Sequence, residues 1–195
     1  MKRCRSCWTV WDSRRQRCPF CSGLCIDTNY FPLPQEAEVL AAVQGILKSL
    51  AAPLVAELHA LIQKPMPKNT HLIDFEAHPG EFRDGFAVQW DPMDAEVTQL
   101  DGGGGLLEDA PPLLPLTLFD SEEFRQVESC SIAFHALPNW FAERWKEAGG
   151  SEFAYPAFLS EHDSDLAFDL NRRLWDVQGE RWLTKPRASA KRSHD

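Results

Sequence analysis

Two C-x-x-C pairs in the first twenty-five residues, Cys4-Arg5-Ser6-Cys7 and Cys18-Pro19-Phe20-Cys21, constrain this chain more than any other feature. A C-x-x-C turn aims two thiolates at one point, and two such turns with ten residues between them supply a tetrahedral four-sulfur site. Zinc fills such a site without redox chemistry. Iron or a pair of disulfides are the other occupants the residues admit. Between the pairs, Trp8-Thr9-Val10-Trp11 is aromatic and β-branched and predicts a short strand. Asp12-Ser13-Arg14-Arg15 then predicts a hairpin tip, and Gln16-Arg17 returns the chain to Cys18.

The segment Cys18-Pro19-Phe20-Cys21-Ser22-Gly23, with its partner pair upstream, resembles the second knuckle of the zinc-ribbon family, over residues 1 to about 25 only. The resemblance implies a ligand role for Cys4, Cys7, Cys18 and Cys21, and short strands or hairpins around one structural zinc. It implies no particular activity. Rubredoxin-like iron sites share the C-P-x-C feature but space their pairs more widely. Cys25 is near enough to compete, yet four ligands already close a structural site, so it reads as a spare thiol. Cys130 stands alone in sequence and reads as a small core hydrophobe.

At 195 residues the chain has room for one domain of ordinary size beside the small metal module. Its 44% hydrophobic and 25% charged residues suit a folded body. No 18-residue apolar run stands out, and no apolar leader precedes the first pair, so the expectation is a soluble, cytoplasmic chain with no membrane partner. Metal-holding thiols suit the same reducing compartment. Charge is unevenly placed. Residues 1–25 sum to +5 and residues 185–195 to +3, which leaves residues 26–184 at −17 within a total of −9. A body so acidic favours basic partners and repels nucleic acid, while the two basic ends do the opposite.

The expected organisation is a zinc ribbon over 1–25, a linker over 26–34, an acidic body over 35–184 with a helical segment at 35–63, and a disordered basic tail over 185–195. The apolar residues Val39, Leu40, Val43, Ile46, Leu47 and Leu50 recur at helical steps. Pro53 predicts a break, after which Leu54, Val55, Leu58, Leu61 and Ile62 predict a second helix ending before Lys64-Pro65-Met66-Pro67. Strands are expected at 71–76, 85–90 and 96–100, with a turn near His78-Pro79-Gly80. Asp101-Gly102-Gly103-Gly104-Gly105 lacks the lysine and hydroxyl of a phosphate-cradling loop and reads as a mobile turn. A helix start is expected at Asp120-Ser121-Glu122-Glu123, and another helix from Pro138 through Trp140, Phe141 and Trp145 to a stop at Gly149-Gly150. Phe153–Leu159, 166–170 and 181–183 read as extended. The fold class is therefore α+β: an N-terminal zinc ribbon, a helical segment, and a mixed, mainly antiparallel sheet with packed helices.

Outside the ribbon, Glu161-His162-Asp163-Ser164-Asp165 is the densest group of metal-ligand types, with His135 and Asp169 as distant complements for a phosphohydrolase-like site. Adjacent strand residues point to opposite faces, so His162 and Asp163 read better as a solvated acidic turn. Cys130 and His135 as nucleophile and base rest on proximity in sequence alone. No catalytic residues and no cofactor besides zinc are assigned. The leading functional expectation is a binding or regulatory protein whose acidic body engages a protein partner, a basic one such as a toxin among the candidates. The alternative is a nucleic-acid-associated protein using Arg14, Arg15, Arg17 and the ribbon tryptophans. A hydrolase around His162 ranks third.

Overall fold

A computed structural model of the chain describes residues 2–4, 10–11, 25–27, 34–78, 86–96, 98–113, 129–161 and 167–176. At the N-terminus, β1 (Lys2–Cys4), β2 (Val10–Trp11) and β3 (Cys25–Asp27) form a small antiparallel sheet in the order β2-β1-β3. Its last strand runs two residues beyond the expected end of the ribbon and sets Cys25 opposite Cys4 in register.

The apolar row Val39, Val43, Leu47, Leu50, Leu54, Leu58 and Leu61 is buried along one continuous helix, α1 (Pro34–Gln63). Pro34 begins it, where a missing N–H costs nothing. The break expected at Pro53 does not occur. An interior proline costs about 3 kcal/mol, and each buried leucine on either side returns about 1.5–3 kcal/mol, so the row continues straight through. Fusing the two expected helices also changes their aggregate character. The stretch Ala37–Gln63 now reaches the length and mean hydropathy (1.7) of a membrane span, contrary to the expectation that no such run exists. Its buried row is spent on the sheet and on a second helix.

That second helix, α2 (Ser129–Glu147), begins nine residues before Pro138 and so holds the proline in its interior and not in the expected first turn. Phe141 and Trp145 are fully buried and Trp140 partly so. Gly149 takes the left-handed conformation (φ 95°) that ends the helix, with its N–H donating to the Lys146 carbonyl at 3.1 Å. A short 3-10 turn, Gly150–Glu152, follows. A side chain at Gly150 would overlap the Trp145 indole, so the turn packs flat on that ring.

The main sheet has the order β6-β5-β4-β7-β8-β9. Its strands are β4 (Leu72–His78), β5 (Ala87–Met93), β6 (Gly104–Leu106), β7 (Ala157–Glu161), β8 (Ala167–Asp169) and β9 (Leu174–Asp176). Only the central pair β4–β7 is parallel; the others are antiparallel. Helices therefore pack on a mixed, mainly antiparallel sheet, as the α+β reading expects. Trp90, Phe75, Leu159, Phe168 and Trp175 stand in one register row on the helix side. Phe75 meets Phe141 at 5.1 Å and Trp145 at 5.7 Å between ring centroids, which ties the row to α2.

Several strand expectations shift. Residues 96–100 make only an isolated bridge, Met93 to Gln99, because Asp94 Oδ1 accepts the N–H groups of Glu96 and Thr98 and closes a tight loop there. The third strand is instead β6, inside the glycine run. Phe153 follows the 3-10 turn and is not in a strand, and β9 lies where no strand was expected. The helix start at 120–123, the strand at 181–183 and the tail 185–195 lie outside the described residues.

Candidate functional site

The helices cover one face of the sheet; the other carries Asp74, Glu76 and His78 from β4 and Gln89, Asp91 and Met93 from β5. These positions alternate with the buried row, as the two-residue period of a strand requires. Asp74 stands directly opposite Asp91, and Glu76 opposite Gln89. Acidic side chains from neighbouring strands are thereby gathered on one face of the sheet. His78 Nε2 lies 3.5 Å from Glu76 Oε1 on the same face, with both side chains more than a third exposed.

The glycine run shapes the edge of this face. Gly105 lies in register with Gln89, and Gly103 lies one step beyond the Trp90–Gly104 pair, against Asp91. A Cβ at Gly103 would overlap Asp91 Oδ1, and one at Gly105 would overlap Glu108 Oε1 and come within 2.7 Å of its Cγ. Alternate glycines thus leave a shelf on which two carboxylates lie against backbone. Between them, the Cα of Gly104 abuts the Trp90 indole on the opposite face, where a Cβ would sit 3.3 Å from Nε1. The stretch read as a mobile turn is an edge strand cut to fit Asp91, Glu108 and Trp90. The legible signal was the run of four glycines, Gly102 to Gly105, since glycine within a strand marks close approach.

Asp91 is held in place. Gln99 Nε2 donates to its Oδ1 at 2.6 Å, from the loop that Asp94 closes. Burial pushes the Asp91 carboxyl above its ordinary range; the Gln99 hydrogen bond pulls it partly back, the Glu76 charge raises it again, and Gln89 lowers it. Burial and the Glu76 charge therefore both disfavour the ionised form of Asp91. Four carboxylates, Asp74, Glu76, Asp91 and Glu108, share this region of the sheet.

The residues singled out in the sequence lie partly outside the described residues. Of the four zinc ligands expected, Cys4 lies in β1, while Cys7, Cys18 and Cys21 fall outside the described residues. His162 and Asp163 fall outside them too. Cys130 and His135 both lie in α2, five residues apart. Asp169 is committed to structure: buried at 7% exposure, it accepts the N–H groups of Asn171 (2.9 Å) and Arg172 (2.8 Å) and closes the β8–β9 turn. Among the described residues no group of three or more histidine, cysteine, aspartate or glutamate side chains is placed to hold a metal. Comparison with protein-family models, with curated proteins and with solved structures gives no match for this chain.

Proposed function

We propose that the protein is a binding or regulatory protein whose acidic body engages a basic protein partner, with an N-terminal zinc ribbon held by Cys4, Cys7, Cys18 and Cys21. The observation that supports this best is the gathering of Asp74, Glu76 and Asp91 on the sheet face opposite the helices. Glu108, at the edge of the sheet beside Gly105, adds charge of the same sign. A basic surface laid against the exposed carboxylates of this face gains from their charge, and complementary potentials of this kind raise association rates and suppress wrong partners. For the ribbon, the support is the ligand spacing in sequence together with the three short antiparallel strands β1 to β3 that flank it.

Fluorescence anisotropy with labelled nona-arginine as probe tests the acidic face in the full chain. Binding is expected to weaken steeply with salt, and the double variant Glu76→Lys, Asp91→Lys should lose at least tenfold in affinity. Equal affinity for the variant, in a chain whose circular dichroism is unchanged, would overturn the reading.

A further inference from the structure

Beside the acidic face lies a cleft of about 500 Å³, between the second half of α1 and the segment that leads from β6 to Pro111. Its floor is apolar: Leu61, Trp90 and Leu107 are no more than 5% exposed. Its rim is charged, with Glu57, Glu108 and Asp109 against the single ammonium of Lys64. Such a volume lies within the range of small-ligand and side-chain pockets, about 300–1,000 Å³.

The rim is preorganised at Glu57. Leu107 takes a left-handed backbone conformation (φ 57°), which a leucine adopts only at a conformational cost. In that conformation its N–H donates to Glu57 Oε2 at 2.8 Å and holds the carboxylate over the cleft. Among the described residues, Oε1 of Glu57 has no hydrogen-bond partner. Just past the end of α1, Lys64 Nζ lies 5.4 Å from the centre of the Trp90 ring, so the indole face there already accepts a cation.

An apolar floor under an acidic rim suits a side chain that is apolar along its stem and cationic at its tip. We propose that the cleft receives an arginine side chain of the basic partner, its stem over Leu107 and Leu61 and its guanidinium against Glu57. Arginine fits better than lysine because its planar fork pairs with a carboxylate through two N–H groups, where an ammonium presents a point charge. Three carboxylates against one ammonium exclude an acidic occupant. The inference rests on the partner being basic, and it adds the anchor.

The test uses the full chain, with ¹⁵N NMR reporting on the Leu107 amide and the Trp90 indole N–H, and N-acetyl-arginine methylamide as probe. Both signals should move saturably, and blocked norleucine, which has the stem without the charge, should bind at least tenfold more weakly. Glu57→Gln keeps an acceptor for the Leu107 N–H and removes the charge; it should weaken the arginine probe at least fivefold. Ala60→Phe fills the cleft without altering any charge and should abolish the response. Absent or unsaturable shifts, equal binding of norleucine, or indifference to both variants would overturn the inference. If nona-arginine binds, loses affinity in the Glu76→Lys, Asp91→Lys chain and is indifferent to Ala60→Phe, the acidic-face reading stands and the cleft assignment falls. If nona-arginine does not bind the parent chain at all, the reading falls and takes the inference with it.

Discussion

Adding one methyl group at Gly150 should be among the most damaging small changes this protein can suffer. The new Cβ would overlap the indole of Trp145, which is fully buried. That ring cannot move aside freely. Phe75 stands 5.7 Å and Phe153 5.6 Å from it in edge-on contacts, and its Nε1 donates to Asn171 Oδ1 at 3.2 Å. Overpacking a filled core costs about 1–3 kcal/mol. A shifted ring also loses a hydrogen bond of about 1 kcal/mol and part of its aromatic contacts, about 0.5–1.5 kcal/mol each. The sum for Gly150→Ala is about 2–4 kcal/mol. Urea unfolding followed by near-UV circular dichroism should show the midpoint fall by about 1–2 M, given slopes near 2 kcal/mol/M. Gly45→Ala is the matched control: the same methyl group, in the exposed middle of α1, meets nothing within 4 Å. There the gain in helix propensity should stabilise by about 0.5–1 kcal/mol. A loss below about 0.5 kcal/mol for Gly150→Ala would refute the packing argument.

Metal analysis of protein purified under reducing conditions without chelator should find one zinc per chain; Cys18→Ser should lose it while the body stays folded, and Cys25→Ser should keep it. Asp91→Asn should stabilise the free protein at neutral pH, because burial raises the folded carboxyl above its unfolded value and the charged form is the disfavoured one. The sign follows: the gap between parent and variant is fully present above the raised folded pKa, shrinks as pH falls through it, and vanishes below the unfolded pKa near 3.9; a gap that widens on acidification would contradict it. The same variant should weaken nona-arginine binding, so that stability rises while affinity falls. Gly103→Ala should displace Asp91 from its shelf and press on the Trp90 backbone carbonyl 2.8 Å away, lowering both affinity and stability, which anisotropy and thermal melts can follow separately.

The helical row from Val39 to Leu61 was legible because its three- and four-residue steps leave one apolar stripe, and packing merely confirms it. What propensity mispredicted was continuity. Pro53 and Pro138 both look like helix boundaries, yet both sit inside helices whose buried faces outweigh a lost hydrogen bond. The strands β4 and β5 announced themselves by alternation around Phe75 and Trp90. β6 did not, since Gly104-Gly105-Leu106 has no strand propensity and is held only by its register with Val88, Gln89 and Trp90. The acidic site was half legible. Total charge pointed to an acidic body, but the opposition of Asp74 to Asp91 depends on pairing between strands, which composition does not carry. The reach of Asp91 across Gly103 was hidden for the same reason.

The parallel pair at the centre of the sheet has a temporal consequence. Ile73 and Ala157 are register partners 84 positions apart, with a hairpin and α2 between them. On a ribosome adding about 5–20 residues per second, β4 waits roughly 4–17 s for its neighbour. Over that interval β4, β5 and β6 can zip together with α1, but the far edge of β4 stays open, and an open edge is a template for any extended chain nearby. Refolding from denaturant meets the same long loop closure, so the joining of β4 to β7 is the step expected to set the folding rate. A chain that stalls short of Ala157 leaves the β4 edge that β7 would pair unfilled.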